Sequence, residues 1–257
     1  MDPAPPPRRG VDPAPPPGRG DPLVVAHRGA WTGAPQNSLA ALEAAIDLGC
    51  DMVEIDVRRT RDRKLVAVHD PRIGGTPVAA LDHAQLKARL TPGQAPSLAE
   101  LLERAQGRIT LDIELKEDGY VEQVSRALAR LPTEGYVVTS FQAPALAALR
   151  RAAPATRTGL LLRPTWHPGL ERRVHQSGAD FLAPHARLAR AGLLSWAADR
   201  GFQRSFVWTV NNRRALRTML NHPRVAAVIT DRPDHALALS ALHREALHEV
   251  DMADNRL

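Results

Sequence analysis

Two carboxylates alternate with two β-branched residues in the run Glu54-Ile55-Asp56-Val57. On an extended strand successive side chains point to opposite faces, so Glu54 and Asp56 share one. A second apolar run, residues 65–68, follows after only Arg61-Asp62-Arg63-Lys64 and ends in His69-Asp70. Parallel strands need a crossover of a dozen residues or more, so a link this short makes the two runs an antiparallel hairpin. With the turn centred near Asp62-Arg63, His69 falls opposite Asp56. Carboxylates bind hard cations and imidazole exchanges protons near neutral pH, so their convergence is a candidate reactive centre.

These groups need a scaffold, and the chain has a regular one. Short apolar runs at 23–26, 52–57, 109–115, 136–140, 158–162, 180–183, 205–210 and 225–230 read as strands. Between them lie amphipathic stretches at 38–48, 97–105, 121–129, 144–152, 169–176, 188–199 and 213–221, and a last one at 233–247 follows. Asn37-Ser38 can cap the first helix, with Gly49 just past its end. Ser97 with Glu100 three residues on resembles a capping box. Eight strand-then-helix units predict an α/β fold, a TIM-type (β/α)8 barrel with a short β-hairpin after the second strand. A doubly wound open sheet is disfavoured, because no glycine-rich dinucleotide fingerprint follows the first strand. In such a barrel the C-terminal strand ends carry function. The conspicuous polar residues fall there: His27-Arg28-Gly29, Glu54 and Asp56, Glu114 and Lys116, Ser140-Phe141, Trp208 with Asn211, and Asp231.

The 257 residues, 44% of them hydrophobic, suffice for one sizeable core. Residues 1–21 hold a near-repeat, DPAPPPRRG then DPAPPPGRG, whose proline density predicts a disordered or polyproline-II extension. The barrel is expected over 22–248 and a tail over 249–257. The net charge of +6 is concentrated: residues 1–21 cancel and 241–257 carry −2, so the body holds +8, which suits an anionic ligand. Only Lys64, Lys87 and Lys116 are lysine among 34 basic residues. No apolar run is long enough for a transmembrane helix, the start has no signal-peptide core, and the single Cys50 fits a reducing compartment. A cytoplasmic protein is expected.

The motifs VVAHRGA, PQNSLAALEAAIDLGCDMVEIDVRRTRDRKLVAVHD, PSLAELL, LDIELK, SF, VWTVN and VITDRPD stand in this order. Together they resemble the glycerophosphodiester phosphodiesterase family from Leu23 to about Asp234. That resemblance implies the barrel fold and metal-dependent hydrolysis of a glycerophosphodiester to glycerol 3-phosphate and an alcohol. It implies that Glu54, Asp56 and Glu114 bind a divalent metal, Mg²⁺ or Ca²⁺, as an all-oxygen site. His27 and His69 resemble the catalytic pair, one deprotonating the attacking oxygen and the other protonating the departing alkoxide. Arg28 and Lys116 are expected to face the phosphate, as a two-pronged donor and as a compact point charge. Gly29 is expected to let the backbone turn close to the ligand. Phe141 and Trp208 are expected to form an apolar wall on the glycerol or leaving-group side, with Asn211 and Asp231 orienting the barrel mouth.

One departure stands out. The family's Pro-Glu-Asn-Thr is Pro35-Gln36-Asn37-Ser38 here, which removes a charge near His27 and Arg28. The stretch 71–108 is short, so a comparatively open site is expected. Rival readings are a lysophospholipase D-type or cyclising phosphodiesterase acting on lipid phosphodiesters, and a non-catalytic binder of phosphate or nucleic acid. The chain has no exposed hydrophobic segment to suit the first. It has no recognition helix or interleaved aromatics to suit a nucleic-acid binder, so a small-molecule phosphodiester remains the expected partner and nucleic acid is not one.

Overall fold

The computed structural model describes residues 21–30 and 33–254, the side chains of 244–254 excepted. The expected proline-rich extension therefore lies outside the described residues, apart from Asp21. Among the described residues eight parallel strands form the barrel: β1 (Leu23–His27), β2 (Met52–Arg59), β6 (Thr110–Leu115), β7 (Tyr136–Ser140), β8 (Thr158–Leu162), β9 (Phe181–Pro184), β10 (Ser205–Val207) and β11 (Val225–Thr230). Each is hydrogen-bonded to the next, and β11 returns to β1 with Val25 beside Ile229. Between β9 and β10 closure rests on one bridge, His185 beside Trp208. There Trp208 N donates to Pro184 O at 3.2 Å and Ala186 N to Trp208 O at 2.6 Å.

The strands are nearly continuous apolar runs because both of their faces are covered. Inside the barrel pack Val25, Met52, Leu161, Phe181, Phe206 and Ile229. Gly159 leaves room for Phe181, since a Cβ there would lie 2.4 Å from the Phe181 ring. Outside, strand residues such as Val53, Ile55 and Ile113 meet α1 (Leu39–Asp47) and α3 (Leu98–Ala105). Ser38 accepts from Ala41 N to start α1, and Ser97 with Glu100 forms the capping box that starts α3.

Beyond β11, a last helix (Pro233–Asp254) runs past Leu247, so the expected tail begins inside a helix. The expected helix over 188–199 is interrupted, because Gly192 sits at φ +97° and splits it around a π-turn.

The hairpin is present, with β3 (Leu65–Ala67) antiparallel to β2, but its register differs by one residue from the expected one. Val57 faces Ala67, and Val68 N donates to Asp56 O at 2.8 Å. Val68, not His69, therefore lies opposite Asp56. Thr60 N closes the turn on Lys64 O at 2.9 Å, leaving three loop residues with Arg63 at φ +62°. A three-residue loop ending in a left-handed residue centres on a residue, Asp62, rather than between two. The basic tip is largely engaged: Arg61 pairs with Asp82, and Arg59 lies over the Tyr120 ring. After β3 the chain makes a two-stranded excursion, β4 (Arg72–Ile73) and β5 (Thr76–Pro77), and a short helix, α2 (His83–Lys87). These pack on their own small core of Val66, Val68, Val78, Leu81 and Leu86.

Candidate active site

At the C-terminal ends of the strands lies a cavity of about 350 Å³. His27, Glu54, His69, Glu114, Lys116, Phe141 and Trp208 line it, with Arg28, Arg58, Asp112 and Arg163. Every residue expected to hold the metal, exchange protons or touch substrate is in that wall except Asp56, while Gly29, Asn211 and Asp231 lie outside it. Asp56 is fully buried just behind it.

The strands place the acids directly. In the parallel pairing of β2 and β6, Asp56 stands beside Glu114 and Glu54 beside Asp112. Glu54, Asp56 and Glu114 each offer an oxygen within 4.8 Å of the others. Glu54 Oε1 is buried with no hydrogen-bond partner among the described residues. An unpartnered carboxylate oxygen costs free energy in a dry setting, and three clustered anions repel. The all-oxygen donor set therefore fits a hard divalent cation. Burial first, then Asp56 and Glu114, pushes the Glu54 carboxyl well above its ordinary value. Burial pushes Glu114 up to about 7. Asp56 goes the other way: against its burial, Lys116 and Arg28 hold it below the usual range.

The support of Asp56 is extensive. Asn37 donates from Nδ2 to Asp56 Oδ2 at 2.8 Å and accepts from Asp56 N at 3.0 Å. Arg28 Nε lies 3.1 Å from Oδ2 and Lys116 Nζ 3.0 Å from Oδ1. Lys116 also reaches Glu114 at 2.8 Å, so its ammonium sits between two of the three acids. Arg28 and Asn37 both have positive φ, +60° and +54°, an uncommon conformation for such residues and one found at functional sites. The turn aims Arg28 N at Glu54 Oε2, 3.0 Å away, and Gln36 Oε1 accepts from Arg28 Nη1 at 2.9 Å. Gly29 also serves the packing of the first turn. It adjoins α1, where a Cβ would lie 2.6 Å from the Ala41 Cβ.

Both histidines are held by an aspartate on Nδ1. His27 Nδ1 is 2.6 Å from Asp231 Oδ1, and Asn211 Nδ2 donates to the other Asp231 oxygen at 2.5 Å. Although burial opposes it, the His27 bond holds Asp231 below the usual carboxylate range. As an ionised acceptor it fixes the proton on Nδ1, leaving Nε2 toward the acids, 3.8 Å from Glu54 Oε2. His69 Nδ1 is 2.8 Å from Asp70 Oδ1, and burial lowers the His69 pKa. The Arg58 guanidinium donates to the His69 carbonyl from Nε at 3.0 Å and Nη2 at 2.8 Å, and Nη1 pairs with Glu117. Three residues thus matter more than the sequence reading allowed: Asp231, Arg58 and Asp112. Asp112 shares a face with Glu114 by strand alternation, accepts from Thr139 Oγ1 at 2.7 Å, and is pushed up to about 7 by burial.

A closed parallel barrel whose mouth combines a carboxylate trio, two anchored imidazoles and several cationic side chains has the groups that hydrolysis of a phosphoric ester calls for. The model of the Glycerophosphoryl diester phosphodiesterase family matches residues 27–235, and the chain belongs to that family. It is 26% identical to the glycerophosphodiester phosphodiesterase of Caldanaerobacter subterraneus subsp. tengcongensis, over 84% of this chain and 97% of that one. A solved glycerophosphodiester phosphodiesterase from Parabacteroides distasonis superposes with a TM-score of 0.73 at 27% identity, covering 89% of this chain and 100% of that chain. One from Thermotoga maritima gives 0.71 at 25% identity, covering 85% and 98%. The protein is an enzyme of this type, and the family is generally dependent on a divalent metal. Among the described residues no helix is long and apolar enough to cross a membrane.

Proposed function

We propose that the enzyme hydrolyses soluble glycerophosphodiesters to glycerol 3-phosphate and an alcohol. In this reading Glu54, Asp56 and Glu114 hold one Mg²⁺ or Ca²⁺, and His27 and His69 are the acid–base pair. The carrying observation is a cavity that two aspartate-anchored histidines share with Glu54 and Glu114, with Asp56 clustered against those two acids. The bound cation would polarise a phosphoryl oxygen and offset the charge that grows on it. His69, kept neutral by burial, is suited to take a proton from water. His27, with Asp231 behind it to balance a positive ring, is suited to give one to the departing alkoxide. Lys116, which lines the cavity with its ammonium between Asp56 and Glu114, would set a compact positive charge beside the phosphate. Arg28, with Nε beside Asp56 and Nη1 donating to Gln36, offers its Nη2 to a phosphate oxygen.

The test is hydrolysis of a glycerophosphodiester with and without chelator, beside His69→Ala and Glu114→Gln. Activity should fall roughly 10²- to 10⁴-fold in each variant and return after chelation only when a divalent cation is added. Activity that survives the chelator and both substitutions removes the reading. A cyclic phosphate as the first product would favour the cyclising alternative.

A further inference from the structure

The cavity has two chemically different ends. Its carboxylates, Glu54, Asp112 and Glu114, are all buried on β2 and β6. Further round the barrel the wall comes from the ends of β7, β8 and β10: Phe141, Gln142, Leu161, Arg163, Trp208 and Thr209. No acidic side chain stands among these. Phe141 and Trp208 meet edge to face, 5.4 Å between centroids. The indole is fixed from behind, with Nε1 donating to Ala183 O at 2.7 Å and the His185 ring edge-on at 5.1 Å. Burial, then Arg187, lowers the His185 pKa, so this backing is neutral at pH 7.

An aromatic pair at the mouth of a pocket can receive a substrate ammonium through its π-faces. Here a resident cation has taken that place. The Arg163 guanidinium carbon lies 4.6 Å from the centre of the Phe141 ring. Arg163 is exposed and makes no ion pair with any carboxylate among the described residues, so its charge is available to whatever occupies the wall.

We propose that Arg163 makes this a site for glycerophosphodiesters whose leaving alcohol is neutral or anionic, such as a polyol, in preference to those carrying an ammonium group. The inference rests on the function proposed above, which sets the phosphate at the carboxylate–histidine end, and adds that the leaving group rather than the glycerol lies against the aromatic wall. A polyol meets donors from Arg163, Gln142 and Thr209 and an apolar ring edge. A choline or ethanolamine group meets a like charge on the ring face it would use, with no carboxylate at that end to offset it.

The experiment compares kcat/KM for glycerophosphoglycerol, glycerophosphoinositol, glycerophosphocholine and glycerophosphoethanolamine in the wild type, Arg163→Gln and Arg163→Glu at low ionic strength. Ratios within each variant cancel any loss of folded protein. The wild type is expected to favour the two polyol esters about fivefold or more, a cation–π-sized effect. Arg163→Gln should bring the ratio toward one, Arg163→Glu should invert it, and added salt should shrink it. A ratio that Arg163→Glu leaves within about twofold of wild type, with all four esters hydrolysed, overturns the role of Arg163 alone. Failure of the metal-loaded wild type to hydrolyse any of the four overturns the proposed function, and this inference with it.

Discussion

A histidine exchanges a proton with substrate only through the ring nitrogen that faces it, so the partner on the other nitrogen decides which tautomer is present. At His27 that partner is Asp231, itself pinned by Asn211, which also accepts from Asp231 N at 2.9 Å. Asp231→Asn keeps the size of the group and loses the charge. We expect kcat to fall roughly 100-fold with KM within a few-fold of wild type, because the lost function is proton delivery rather than binding. Steady-state kinetics beside a melting curve checks this, and an unchanged kcat would leave Asp231 as a structural residue of the mouth. The sequence located Asp231 correctly at a strand end but not its partner. His27 and Asp231 are 204 residues apart, and they meet only because β11 closes on β1. Asp112 was missed for another reason. Strand alternation puts it on the face of Glu114, but how deeply a residue sits in a barrel is not written in its period.

At the scale of elements, the first strand, its turn and α1 act as one unit. Arg28 and Gly29 both have positive φ, at +60° and +85°, and α1 packs against Gly29 so tightly that a side chain has no room. Gly29→Ala would add a left-handed alanine and force a Cβ against Ala41, where three atoms lie at 2.6 to 2.7 Å. Overpacking of this kind costs about 1–3 kcal/mol, and the left-handed backbone about 1–2 more. Calorimetry should therefore show a Tm lower by roughly 4–20 °C, with activity reduced because Arg28 N no longer meets Glu54. A melting point within about 2 °C of wild type would mean that α1 gives way easily. Most element positions were legible because parallel barrel strands are apolar runs and their helices carry local capping signals. The hairpin register was not, since an odd-numbered loop with Arg63 rather than glycine in the left-handed position carries no familiar turn signature.

For the molecule as a whole, the acid cluster makes stability depend on pH in a direction opposite to that of most salt-bridged carboxylates. Burial holds Asp112 and Glu114 up to about 7, whereas unfolded carboxyls titrate near 4. Between those values the folded protein binds more protons than the unfolded chain, so stability falls as pH rises through the window and levels off above it. The contribution is fully present below the unfolded pKa and lost by about pH 7. Asp56, held low by Lys116 and Arg28 against its burial, and His69, lowered by burial, act in the other sense. The cluster's share is therefore best read as a difference between wild type and Glu114→Gln, which keeps the shape and cannot ionise. Without metal, the wild-type Tm should lose several degrees more than that of Glu114→Gln between pH 5 and pH 7.5. Saturating divalent cation should restore the wild type at pH 7.5 and do much less at pH 5, because the cation and the protons compete for the same oxygens. In Glu114→Gln the restoration should be small at both pH values. Equal slopes in the two proteins would mean that Glu114 does not titrate above its ordinary range, and a metal effect independent of pH would mean that Glu54, Asp56 and Glu114 are not the cation's ligands.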